Sequence, residues 1–145
     1  KLMDYEKKIK LIARNNEDLE IFSQLCQDAI LSKDELFYDE KAKIIFLTFS
    51  RYCWEKTDLN NSKVNFRVIS GLQIKNVQKV QYINFKYTSE INFLNLLAVS
   101  YENKKIRFYF SSLVEIILTV NDIFAILEDI DIPWPTKLNP IHNFD

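Results

Sequence analysis

Arg51-Tyr52-Cys53-Trp54-Glu55 gathers five unlike functional side chains at the end of the apolar run Ile44–Phe49. Arginine offers a planar fork of donors suited to a carboxylate or phosphate, and tyrosine and tryptophan offer rigid apolar area. A second cation, Arg67, interrupts Asn65-Phe66-Arg67-Val68. If Arg51 and Arg67 converge, an anionic group fits between them. The competing arrangement is a strand end in which the arginine pairs with Glu55 or Glu35 and Trp54 packs at the sheet margin. Asn95 is a further unusual polar residue, set between Phe93-Leu94 and Leu96-Leu97. It reads as a buried amide serving a sheet edge or bulge, or as a ligand contact. The candidate binding residues are therefore Arg51, Tyr52, Trp54, Arg67 and Asn95, joined by Trp134 and His142 near the end of the chain.

Catalytic constellations are not found. His142 is the only histidine, and with no second histidine and no cysteine cluster it belongs to no zinc ligand set. Ser-His-Asp or Cys-His chemistry would need Ser50 or Cys53 to meet this tail histidine, and no spacing supports it. Asp28, Asp34, Glu35, Asp39 and Glu40 cluster around expected turns, where solvation is the expectation and the contrasting environments of an acid–base pair are not. Gly71 is the single glycine, which excludes Gly-rich phosphate loops and dinucleotide fingerprints. Turns that need positive φ must then use Asn and Asp, with Asn60-Asn61, Asn76, Asn92, Asn103 and Asn121 as candidates. Cys26 and Cys53 form no C-x-x-C pair. No catalytic residue, metal or cofactor is expected.

Composition narrows the partners. With 19 basic and 20 acidic residues and a net charge of −1, the chain has no basic footprint for nucleic acid and no cationic face for anionic lipid. No signal-like start and no apolar run approaching the ~20 residues of a membrane span are present. A cytoplasmic location is the expectation. The 48% hydrophobic content over 145 residues suits one domain, with a folded core over 4–130 and a proline-containing tail over 131–145 packed on it.

The elements that must position these residues are mostly strands. Ile9, Leu11 and Ala13 alternate with Lys10 and Ile12 as a short opening strand, and Asn15-Asn16 caps a helix over about Asp18–Gln27. Its Leu19, Phe22, Leu25 and Cys26 share one face. β-rich segments follow near Ala29–Ser32, Leu36–Tyr38, Lys43–Trp54, Val64–Gly71, Leu72–Phe85, Leu94–Tyr101, Ile106–Ser111 and Val114–Val120, with a bend or bulge at Gly71. Asn121 or Asp122 then caps a second helix built on Ile123, Phe124, Ile126, Leu127 and Ile130. The fold class is α+β and mainly β: a curled antiparallel sheet or barrel closed by a C-terminal helix, the plan of pleckstrin-homology-like domains. A β-sandwich or a small lipocalin-like barrel is the alternative.

Ordered phrases also resemble one family. They are Lys10-Leu11-Ile12-Ala13, Glu17-Asp18-Leu19-Glu20, Leu25-Cys26-Gln27-Asp28-Ala29, Arg51-Tyr52-Cys53-Trp54-Glu55, Leu94-Asn95-Leu96-Leu97-Ala98, Trp134-Pro135-Thr136 and the ending Pro140 to Asp145. Together the chain resembles the alphaproteobacterial domain of unknown function family 2948. Asn143 departs from the family's usual His-Asp-x-Asp ending. The resemblance implies a bacterial protein and transfers no catalytic residue. The functional expectation is a non-catalytic domain that binds a protein or peptide through a sheet edge or helix groove; the alternative is a pocket for a small anionic or apolar ligand. Oligomeric state is not legible.

Overall fold

The computed structural model describes residues 7–56, 65–85, 93–131 and 134–136. Strand β1 (Lys10–Ala13) leads into helix α1 (Asn16–Leu25), and Asn15 caps it by accepting the Asp18 N–H on its side-chain oxygen at 2.8 Å. Asp18 answers by accepting the Arg14 N–H. Leu19 and Phe22 are buried on the inner face of α1, and Cys26 is buried just beyond its end.

The remaining elements are strands: β2 (Ile30–Asp39), β3 (Ile44–Tyr52), β4 (Asn65–Ile74), β5 (Val77–Ile83), β6 (Phe93–Glu102), β7 (Lys105–Phe110), β8 (Glu115–Val120), β9 (Ala125–Asp129) and β10 (Trp134–Thr136). They form one antiparallel sheet in the order β1-β9-β4-β3-β2-β6-β7-β8-β5, with β10 paired to the start of β4. The segments expected near 29–32 and 36–38 are one strand with a register shift between Leu31 and Leu36.

Connectivity makes the strip curl. β4 and β5 are separated by six strand-to-strand steps along the sheet yet by only Lys75 and Asn76 along the chain. Two connecting residues span at most about 10 Å between the strand ends. The β5 end of the strip must therefore swing back toward β4. Among the described residues no hydrogen-bonded ladder closes that seam, so the sheet is open and is not a barrel. One buried cluster fills the concave side, running from Ala13 and Phe22 through Ile45, Leu47 and Leu94 to Phe108, Ile116 and Val120.

Two expectations are corrected. The C-terminal helix on which the pleckstrin-homology-like reading rested is strand β9, which inserts between β1 and β4. Ala125, Leu127 and Asp129 point inward and Glu128 and Ile130 outward, a period of two that a helix cannot satisfy. Gly71 marks neither a bend nor a bulge. Pairing runs uninterrupted from Tyr52↔Arg67 to Ile45↔Ile74, and the reversal comes later at Lys75-Asn76, where Asn76 adopts φ 62°.

Candidate functional site

Strand alternation decides what the Arg51–Glu55 corner can do. Ile45, Leu47, Phe49 and Arg51 share the inward face of β3, so Arg51 lies at the end of a core-facing row and is 0% exposed. An unpaired guanidinium at such a position would cost several kcal/mol. It is instead fully paired. Nη1 and Nη2 donate to Glu55 Oε1 and Oε2 at 2.8 Å each, in a bidentate fork. Nη2 also donates to Asp129 Oδ1 and Oδ2 at 3.1 and 3.2 Å. Nε is shared between Ser70 Oγ at 3.2 Å and Asp129 Oδ1 at 3.3 Å. Ser70 Oγ donates to Asp129 Oδ1 at 2.7 Å, and the Ile9 N–H donates to Asp129 Oδ2 at 2.9 Å.

The register explains the assembly. Arg51 faces Val68 on β4, Ser70 lies two residues along that strand, and Asp129 stands directly opposite Ser70 on β9. Trp54–Lys56 forms a single 3-10 turn that brings Glu55 back over the guanidinium. Burial alone pulls the Arg51 pKa down. The Glu55 hydrogen bonds and the charges of Glu55 and Asp129 overcome that pull and leave it raised. The cluster ties together β3, β4, β9, the 3-10 turn and the backbone ahead of β1. Cys26 lies within the field of the same charges; burial pushes its thiol up to about 12 from 9.0, against the opposing pull of Arg51. Cys26 and Cys53 are both buried, and neither is in a disulfide.

Tyr52 and Arg67 occupy the opposite face, as direct cross-strand partners. Arg67 Nε donates to Ser50 Oγ at 3.0 Å, and Nη2 donates to the carbonyls of Ser50 at 2.9 Å and Asp28 at 3.4 Å. Among the described residues no carboxylate is ion-paired with it, and burial lowers its pKa. The Trp54 indole N–H donates to the Gln27 carbonyl at 2.9 Å, with its ring edge-on to Tyr52 at 4.6 Å between centroids. Arg51 and Arg67 therefore do not converge. Asn95 is held elsewhere, pairing with Ile30 and donating its backbone N–H to Ser111 Oγ at 3.0 Å. Trp134 lies on β10 opposite Arg67, and His142 is outside the described residues.

Sequence reasoning missed Asp129 and Ser70 as partners of Arg51, because Asp129 fell inside the expected helix. It also missed a depression on the convex side of the sheet. This lies over Gly71 and is bounded by Phe46, Thr48, Gln73, Ile126, Glu128 and Ile130, with a volume of about 240 Å³. No group of His, Cys, Asp and Glu able to hold a metal ion occurs among the described residues, and no described helix is long and apolar enough to cross a membrane.

Among the described residues, an open antiparallel sheet with one α-helix, locked by a buried arginine–dicarboxylate cluster, defines a mainly β domain whose Arg51 guanidinium is satisfied internally. The chain belongs to the family described as "Protein of unknown function (DUF2948)", whose model matches residues 9–142. No curated protein and no solved structure matches it.

Proposed function

We propose that this domain is a non-catalytic protein- or peptide-binding module of the cytoplasm, and that it binds through the convex face of its sheet. One observation carries the reading. Ile12, Ile126, Gln73, Phe46 and Phe37 are successive cross-strand neighbours on β1, β9, β4, β3 and β2. They make a row five strands wide, about 19 Å at the usual strand spacing. Ile12, Phe46 and Phe37 are 46%, 37% and 62% exposed, and the two phenylalanine rings stack at 6.3 Å. A row that is apolar at four of its five positions, with Gln73 between Ile126 and Phe46, is the pattern of an interaction surface, whereas isolated exposed apolar residues are ordinary.

The test is affinity purification from native cells with wild type, Phe37→Glu/Phe46→Glu and Arg67→Ala. A partner recovered with wild type and Arg67→Ala but lost with the double variant supports the reading. The same recovery with all three overturns it. A second reading, binding of a small anionic ligand, is favoured by Arg67, which is half-buried opposite Tyr52 and, among the described residues, feels the charge of Asp28 without an ion pair to a carboxylate. Calorimetric titration with inorganic phosphate, repeated on Arg67→Gln, tests it; equal heats from both proteins would remove it.

A further inference from the structure

Gly71 is the only glycine in 145 residues, and nothing in the fold requires it there. Its φ is not positive, while among the described residues eight other positions take positive φ without glycine, including Asp28, Lys43, Asn76, Asn103 and Leu113. Ladder pairing passes straight through it, Thr48↔Gly71 and Gly71↔Glu128. A Cβ added at this position would meet only Ile130, at 3.4 Å from Cδ1 and 3.9 Å from Cγ1, an ordinary contact. Glycine in a strand interior weakens the strand, and it occurs where another group approaches the backbone closely. What the missing side chain does here is leave a floor: the depression over Gly71 would be occupied by any larger residue.

The lining specifies the guest. At about 240 Å³ the depression falls below the ~300–1,000 Å³ of metabolite pockets and is side-chain sized. Phe46, Ile126 and Ile130 supply apolar walls, Thr48 and Gln73 are neutral, and Glu128 is the one charged residue bounding it. Lys10 is the cross-strand neighbour of Glu128, yet no ion pair joins them. Apolar walls ending in a single exposed carboxylate complement a side chain with an aliphatic stem and a cationic head. The apolar row continues on both sides to Ile12 and Phe37, so the groups flanking that cation should be apolar too.

We propose that the depression over Gly71 is the anchor pocket of the convex face and takes a lysine or arginine side chain from an apolar-flanked segment of a partner protein. This rests on the convex-face reading above. The experiment uses fluorescein-labelled nonapeptides carrying Lys, Gln or Glu at the centre of an otherwise identical Ile/Phe/Ser sequence, followed by fluorescence polarisation. The Lys peptide is expected to bind about tenfold tighter than the Glu peptide, with the difference shrinking as salt rises. Gly71→Leu should abolish binding, and the surface change Glu128→Lys should invert the Lys-over-Glu preference even if Gly71→Leu fails to fold. Equal binding of the three peptides, no binding up to about 1 mM, or an unchanged preference in Glu128→Lys overturns the pocket. So does a wild-type dimer that becomes monomeric on Gly71→Leu, which would assign the groove to a second copy of the chain. If the native partner is lost with Phe37→Glu/Phe46→Glu but kept with Glu128→Lys and Gly71→Leu, the convex-face reading stands and the pocket alone falls.

Discussion

Arg51 carries one positive charge and faces two carboxylates, so every donor of its fork is used while Ser70 and the Ile9 N–H share the load on Asp129. Removing one member of such a buried set leaves the others desolvated without compensation. Arg51→Ala is expected to lower unfolding free energy by about 3–5 kcal/mol, and Ser70→Ala by about 1–3 kcal/mol, in urea melts. The half of the cluster contributed by Glu55 was legible in sequence, four residues from Arg51. Asp129 was not, because its 78-residue separation is bridged only by strand pairing that no local pattern announces. A second residue-scale expectation concerns Cys26. Its thiol is held protonated when folded, with a folded pKa of about 12 against 9.0, so its contribution is complete below pH 9 and is lost as pH rises toward 12. Stability should fall across that alkaline window in wild type and fall less in Cys26→Ala, read as melting temperature against pH. Turn chemistry gives a third. Asn103 and Lys104 both take positive φ, 52° and 61°, between β6 and β7, a hairpin conformation that favours Asn-Gly. Lys104→Gly should stabilise the protein by up to about 1 kcal/mol despite the greater freedom of glycine in the unfolded chain.

At the scale of elements, β9 shows why a short apolar segment misleads. Ile123, Phe124, Ile126, Leu127 and Ile130 fit a helical stripe, Asn121-Asp122 resembles a cap, and Pro133 resembles a stop. Yet five strand residues hold too few repeats to separate a period of 3.6 from one of 2. The tertiary setting decides: β1 and β4 each present an edge, and β9 satisfies both while delivering Asp129 to Arg51. By contrast α1 was legible because its cap, its first-turn acids and its buried stripe all agree. Inward Leu127 and outward Ile126 provide the test. Leu127→Ala should cost about 2–5 kcal/mol and Ile126→Ala well under half of that. Equal costs at the two neighbouring positions would contradict the strand alternation.

Over the whole molecule, the opening strand β1 and the late strand β9 meet beside the same ion cluster: Lys10 pairs with Glu128 and Ala13 with Ala125, while Ile9 exchanges backbone and side-chain hydrogen bonds with Asp129. Strand β1 is thus the cover on an edge that would otherwise end at β9. A chain beginning at Arg14 would lose the Ile9 N–H bond to Asp129, uncover the backbone groups of Ala125–Asp129, and leave Ile126 and Ile130 beside a bare, apolar edge. Exposed edges of that kind pair with other chains. The truncated protein is therefore expected to melt at lower temperature and to self-associate as concentration rises, measured by sedimentation velocity alongside the full chain. Supplying residues 7–13 as a separate peptide should reverse the association, because the peptide restores the antiparallel ladder in trans. A truncated protein that remains monomeric and as stable as the full chain would show that β9 needs no cover, and that β4 and the core alone hold Asp129 against Arg51.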